Sequence, residues 1–269
     1  MLIHEAMRFL AVLQQYRPPS DCAARWKRDT HAVAKKKEPL MIGVVVPVYN
    51  EAALLGNCLE AIGRAAQDSR LDGEPVEVVV VLDACTDRSA AVAVRHRAQI
   101  VSLEAHCVGA ARALGASFAL DSGARWVAFT DADTIVPDNW LSAQLASAAD
   151  AACGPVWIGD WSTHPPGVRE RFLQRYGAVG ARHVHGANLG LSAAAYRAAG
   201  GFLSLPKGED TALISSFLER GGEVAWNASP RVTTSARWET AIEGGFASML
   251  GELREACLAE PDAAAALAA

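Results

Sequence analysis

Residues 41–51 read MIGVVVPVYNE, and their pattern decides the fold. Ile42 to Val48 is a short, largely β-branched run without polar alternation. A strand buried on both faces requires such a run. Tyr49, Asn50 and Glu51 close it, and Leu54, Leu55, Cys58, Leu59 and Ile62 then recur at helical spacing. The alternation continues downstream. Val76 to Leu82 is a second buried strand, followed by the polar turn Asp83 to Asp87, where Asp87 suits the cap of a helix reaching about Arg97. Gln99 to Leu103 is a third strand, Val108, Ala111, Leu114 and Phe118 line a third helix, and Trp126 to Thr130 is a fourth strand that runs into Asp131.

Strands and helices in this alternation predict an α/β fold, with a Rossmann-like, mainly parallel sheet sandwiched by helices and joined by right-handed crossovers. Ligands of such sheets bind beyond the carboxyl ends of the strands. The groups at those ends are Tyr49-Asn50-Glu51, Asp83 to Asp87 and Asp131 to Asp133, so three acidic turns should meet on one edge. The second half is more irregular. Helices are expected over Asp138 to Ala148 and Val168 to Val179, the latter with Phe172, Tyr176 and Val179 on one face. A short helix capped by Ser192 ends at Gly200-Gly201, and another lined by Leu213, Ile214, Phe217 and Leu218 ends at Gly221-Gly222. Ala151 to Ile158, Val184 to Leu191 and Val232 to Ser235 read as strands.

Residues 1–40 are expected to be a helical extension, with Leu2, Met7, Leu10 and Leu13 on one face and a break at Arg17-Pro18-Pro19. Residues 241–269 read as a C-terminal helix with an Ala-rich tail from Ala263. Met1 to Leu13 lacks the basic start and small-residue cleavage site of a secretory leader. No apolar stretch reaches the ~18 residues of a membrane span. The formal net charge of −5 disfavours long nucleic acid as a partner, since phosphate binding needs clustered Lys and Arg. The run Lys35-Lys36-Lys37 is too short to change that. The six cysteines form no C-x-x-C pair, which points to free thiols in a reducing compartment such as the cytoplasm and away from a zinc site.

Asp131-x-Asp133 at the end of a buried strand places two carboxylates where they can share one hard cation, Mg2+ or Mn2+, with positions left for phosphate oxygens. The alternative for a lone D-x-D is a cap or loop pair; the alignment with two other acidic strand ends favours the metal.

The blocks VVVPVYNEAALLGNCLEAI, VEVVVVLDACTDRSAAVA, VGAARALGASFAL and WVAFTDADTIVPDNWL, followed by Gly208-Glu209-Asp210, resemble glycosyltransferase family 2 over about residues 41–240. The resemblance implies the GT-A fold, with residues 41–134 as a nucleotide-sugar-binding half and 135–240 as an acceptor half. It further implies a nucleotide-sugar donor, UDP- or GDP-type, in contact with Pro47, Tyr49, Glu51, Asp83, Arg112, Asp131, Ala132, Asp133 and Arg237. Its metal falls to Asp131 and Asp133. His185, Asn188 and Trp238 are the candidates for substrate contact, although Trp238 is equally suited to packing. His183-x-His185 is suited to chelation or to simple hydrogen bonding. Glu209-Asp210 matches the family's glutamate-aspartate motif, which makes Asp210 the general base and Glu209 its companion. One departure stands out: the usual D-D-G-S-T-D is here Asp83-Ala84-Cys85-Thr86-Asp87. The family often has a histidine or another basic residue near the diphosphate after the last strand, and with no histidine there Arg237 is the candidate.

The implied reaction is an inverting, metal-assisted transfer of a sugar to an acceptor hydroxyl on a small molecule, lipid or glycan. A sugar-phosphate nucleotidyltransferase should carry a Gly-rich basic loop after its first strand, where this chain has Val48-Tyr49-Asn50-Glu51. A dehydrogenase would need G-x-G-x-x-G there. A non-catalytic nucleotide-sugar-binding protein would differ in turnover, not in binding.

Overall fold

The computed structural model describes residues 41–176, 182–226, 230–238 and 245–259. The extension over 1–40 and the tail from Ala263 lie outside the described residues. The first half follows the expected alternation: β1 (Met41–Val48), α1 (Leu55–Ala65), β2 (Val76–Asp83), α2 (Ser89–Arg95), β3 (Gln99–Leu103), α3 (Val108–Asp121) and β4 (Ala124–Phe129). Then come α4 (Trp140–Ala146), β5 (Ala151–Cys153), β6 (Val156–Ile158), α5 (Val168–Tyr176), β7 (Leu189–Ser192), α6 (Ala193–Ala199), α7 (Glu209–Glu219), β8 (Val224–Trp226), β9 (Val232–Thr234) and α8 (Phe246–Ala259).

The main sheet has the order β3-β2-β1-β4-β7-β5-β8. Strands β3, β2, β1 and β4 are mutually parallel, while β7 is antiparallel to both of its neighbours. The progression reverses between β1 and β4, and that switch point is where a sheet of this kind opens a crevice for ligand. Alternation along the strands sorts the core. Ile42, Val44, Val46, Trp126 and Ala128 pack with α1, α2 and α4 on one face. Val45, Val79, Val81, Val127 and Phe129 pack with α3, α6 and α7 on the other. A third cluster joins Ile158, Phe172 and Tyr176 to Leu250 and Leu253 of α8. Among the described residues no helix is long and apolar enough to cross a membrane.

Helix α3 lies unusually close to the sheet because of what it lacks. A Cβ on Gly115 would sit 2.4 Å from Val45 Cγ1, and one on Gly43 would sit 2.7 Å from Ala119 Cβ. This contact fixes α3 over β1 and β2, and so fixes Arg112, one turn earlier, at the sheet's binding edge.

The second half departs from expectation in two places. The strand read over Ala151 to Ile158 is two strands in two sheets, β5 in the main sheet and β6 paired with β9. Gly154-Pro155 divides them, since proline has no N–H for a ladder. The strand read from Val184 begins only at Leu189, and the preceding residues form a loop.

Candidate active site

The turns after β1 and β2 are laced into one platform. Asn50, with a left-handed φ of 55°, turns its Oδ1 to accept the N–H groups of Thr86 (2.8 Å) and Asp87 (3.2 Å). Asp87 accepts the N–H groups of Ala52 (2.8 Å) and Ser89 (2.9 Å), so it ties the first residue of α2 to the turn after β1, while the N-cap position itself is Arg88, with no side-chain cap. The Cys85 thiol lies 3.2 Å from the Val48 carbonyl and accepts the Asn50 N–H at 3.4 Å. Cys85 thereby bridges the two strand ends where the family more often has a Gly-Ser pair. Tyr49 stands on this platform, 55% exposed, with its ring 5.5 Å from that of His106 in an edge-on arrangement. Pro47, one pleat earlier, is half-buried.

Asp83 was expected to contact the donor, and the structure gives its carboxylate internal partners. It is buried and accepts three backbone N–H groups, from Ala105 (2.7 Å), His106 (2.8 Å) and Cys107 (2.7 Å). Three such bonds compensate the burial of a charge. They also shape the loop that presents His106 to Tyr49, a residue sequence reasoning passed over.

Asp131, Ala132 and Asp133 follow β4 in a tight turn, closed by Thr134 N–H donating to the Asp131 carbonyl at 3.1 Å. Ala132 points inward and is buried. The two carboxylates have different partners. Asp131 is paired with Arg112 of α3, and Arg112 is paired with Glu209 at the start of α7. Arg112 is 4% exposed, and its guanidinium rests on Gly186, where a Cβ would lie 2.2 Å from Cζ. Gly186 therefore admits a side chain of the protein itself. Burial alone would lower the Arg112 pKa, and the Asp131 and Glu209 charges more than reverse it. Burial raises the carboxyl pKa values of Asp131 and Glu209, with Arg112 pulling both back down.

Asp133 is held by a second set of side chains. The hydroxyls of Thr234 (3.1 Å) and Thr134 (3.3 Å) meet its Oδ1, and the Ser235 hydroxyl (2.6 Å) and Arg237 Nη2 (3.0 Å) donate to Oδ2. The same Arg237 nitrogen lies 2.7 Å from Glu51 Oε1. Burial raises the Glu51 pKa, against the pull of Arg237. Thr234 and Ser235 are additional site residues; their only sequence signal was a Thr-Ser pair after the last strand. A cleft of about 270 Å³ opens beside Asp133, lined by Leu54, Asn57, Ile135, Thr234 and Ser235.

Helix α7 starts abruptly because Gly208, at φ 71°, turns the chain into it. Its first turn carries Glu209 and Asp210, where the helix dipole favours acids. Asp210 Oδ2 accepts the Gly186 N–H (2.8 Å) and Oδ1 accepts the Thr211 N–H (2.7 Å). One residue, Gly186, thus supports Arg112 and anchors Asp210.

The three expected substrate contacts are drawn into the protein's own packing. Asn188 is fully buried; its amide donates to the carbonyls of Pro155 (3.0 Å) and Pro230 (2.9 Å), and its oxygen accepts from Trp140 Nε1 (2.9 Å). It holds the β5–β6 break together and is not presented to a ligand. His185 Nε2 is bonded to the Tyr176 hydroxyl at 3.0 Å, and that hydroxyl accepts the Val156 N–H at 2.8 Å. The rings of His183 and His185 stack with Tyr176. Burial lowers the His185 pKa to about 4, against the nearby Asp210 charge. Trp238 packs into the third cluster, with Arg254 4.3 Å from its ring centre and His164 edge-on at 5.1 Å. Among the described residues no group of three or more His, Cys, Asp or Glu side chains is placed to hold a metal ion.

A mainly parallel sheet with its acidic turns gathered at the β1–β4 switch point defines the GT-A class of α/β fold. The sequence profile described as Glycosyl transferase family 2 matches residues 43–198, more than half of the chain, and the protein belongs to that family. Among solved structures it is similar to TarS 1–349 of S. aureus in complex with UDP-GlcNAc, at 16% identity over 78% of this chain and 61% of that one, with a TM-score of 0.54. It is similar to the mannosyltransferase PcManGT from Pyrobaculum calidifontis in complex with GDP-Man and Mn2+, at 21% identity over 86% and 73%, with a TM-score of 0.51. Glucosyl-3-phosphoglycerate synthase from Mycobacterium tuberculosis in complex with phosphoglyceric acid aligns at 16% identity over 88% and 86%, with a TM-score of 0.51. At these identities the likeness is one of fold. The chain spans about three fifths of the TarS segment it matches. No curated protein sequence matches it.

Proposed function

We propose that this protein is an inverting glycosyltransferase that moves a sugar from a nucleoside diphosphate sugar to an acceptor hydroxyl, with Asp210 as general base. The observation that carries the reading is the ion-pair chain Asp131–Arg112–Glu209. It joins the turn suited to the donor phosphates to the helix start that bears Asp210, so the two chemical functions share one rigid floor. In this reading residues 41–134 are the nucleotide-sugar half and 135–240 the acceptor half.

The family implies Mg2+ or Mn2+, and the residues present fit such an ion. All candidate donors are oxygens, the ligand type both cations prefer. Asp131 Oδ2 makes no hydrogen bond among the described residues. Five carboxylates, Glu51, Asp131, Asp133, Glu209 and Asp210, share the site with two guanidiniums, so a diphosphate needs a further cation to enter. With only two of these side chains in the D-x-D turn, the remaining ligands fall to phosphate oxygens and water. Asp131 and Asp133 would hold the ion, which when bound offsets the charge that develops on the leaving nucleoside diphosphate.

The chain's own residues do the rest. Exposed Tyr49, with His106 at its edge, offers an aromatic face for the nucleotide base. Arg237 supplies a cation for the diphosphate from the rim. Asp210 takes the proton of the acceptor hydroxyl; the N–H groups of Gly186 and Thr211 fix its orientation. Glu209, sealed against Arg112, holds the floor. PcManGT with GDP-Man and Mn2+ and TarS with UDP-GlcNAc are consistent with either a guanosine or a uridine donor. The free thiols of Cys58, Cys85, Cys107, Cys153 and Cys257 suit a cytoplasmic setting, with a small-molecule, lipid or glycan acceptor. Asp210→Ala should stay folded and lose ~10²–10⁴ in turnover, the usual range for a general base. Near-wild-type transfer by that variant would overturn the assignment.

A further inference from the structure

The site already contains a cation where the family reading puts a metal. The Arg237 guanidinium bridges Glu51 and Asp133 at 2.7 and 3.0 Å. Together with the Thr134, Thr234 and Ser235 hydroxyls it engages both oxygens of Asp133. Asp131, the other half of the D-x-D, gives one oxygen to Arg112. A free divalent ion arriving alone would meet one open carboxylate oxygen of the pair and a positive charge on the other residue. Arg237 differs from Arg112 in being able to leave. Its side chain is 47% exposed, against 5% for Arg112, and it sits on a flexible stem in the segment after β9. A planar guanidinium also pairs well with phosphate oxygens.

We infer that Arg237 is an internal counter-cation that holds the Asp133 position until the donor's diphosphate draws it away, so that the divalent ion binds together with the nucleotide and poorly without it. This rests on the metal-assisted reading above. Arg237 acts here as a positioning residue: it screens Glu51 and Asp133 in the empty site and turns to the diphosphate in the loaded one.

The test is an Mn2+ titration followed by electron paramagnetic resonance, on wild type and on Arg237→Ala, with no nucleotide, with UDP and with GDP. Arg237→Gln, which keeps most of the stem's packing, is measured alongside so that loss of fold in the alanine variant is not decisive. Without nucleotide, both variants should bind Mn2+ about tenfold more tightly than wild type, the size of effect a unit charge removed from a few ångströms produces in a solvated site. In wild type, the nucleotide that fits should restore tight Mn2+ binding; in the variants its added effect should shrink. Equal binding of free Mn2+ by wild type and both variants would overturn the inference while leaving the proposed activity standing. If neither nucleotide strengthens Mn2+ binding in any of the proteins, the metal-assisted reading itself fails, and the inference with it.

Discussion

Arg112 and Arg237 each bridge two carboxylates, yet one is sealed beneath the site and the other stands at its rim. Arg112 joins Asp131 to Glu209, itself 97 residues further along the chain than Arg112, with its own side chain and that of Glu209 almost entirely removed from water. Arg237 joins Glu51 to Asp133 with about half of its side chain in solvent. The same pairing chemistry therefore has opposite consequences. In the floor, Arg112 and Glu209 have already lost their water and Asp131 keeps 36% of its side chain exposed, so removing the guanidinium leaves a buried carboxylate uncompensated. In the rim pair, water stands ready to replace either partner, so the pair contributes little to stability and can be exchanged for a ligand.

The largest effect that would break this contrast is at the floor. Arg112→Met should destabilise the protein by ~3–5 kcal/mol in urea unfolding, because Asp131 and Glu209 lose their shared counter-charge. A change under ~1 kcal/mol would show that the floor is not a sealed network. Gly186→Ala comes next. Its Cβ would overlap the Arg112 guanidinium, so a loss of ~1–3 kcal/mol is expected, the usual cost of overpacking. Its turnover should fall as well, since the same residue anchors Asp210.

Acid gives a third, smaller contrast. The His185 pKa in the folded protein is about 4, below the ordinary histidine value, so the unfolded chain binds the extra proton first. The stability this group contributes is present above about pH 6.5 and is lost as pH falls toward 4. Denaturation midpoints measured across that window should slope for wild type and flatten for His185→Gln; identical slopes would remove His185 from the account. The smallest effect belongs to the rim. Arg237→Gln should change stability by less than ~1 kcal/mol, while the donor KM rises. A large stability loss would make Arg237 a second floor.

The same contrast explains what the sequence revealed. Strands β1, β2 and β4 carry long apolar runs because parallel strands inside the sheet are covered on both faces, and their acidic ends followed directly. The positions of Tyr49, Glu51, Asp131 and Asp133 at the strand ends were therefore legible, whereas Glu209 and Asp210, at a helix start, were marked only by the family resemblance. The partners of those residues were not legible. Nothing local marks Asp83 as the anchor of residues 105–107, or Asn188 as an internal hydrogen-bonding residue; a polar side chain at either end of a strand looks the same whether it faces a ligand or the protein's own backbone. β8 spans three residues, Val224–Trp226, too few to show a period, and exists through its pairing with β5. The division at Gly154-Pro155 carried a local signal in the proline, but that its two sides join different sheets is decided by distant strands.

The central claim is that Asp131 and Asp133 form a metal-dependent site for a nucleoside diphosphate. The most direct test is thermal unfolding of wild type and Asp133→Asn with UDP or GDP, each with and without Mn2+. A ligand at a hundredfold excess over its dissociation constant adds ~2.7 kcal/mol of apparent stability. One nucleotide should raise the wild-type midpoint clearly only when Mn2+ is present, and Asp133→Asn should lose that rise. No shift with either nucleotide, or an equal shift in Asp133→Asn, would contradict the account.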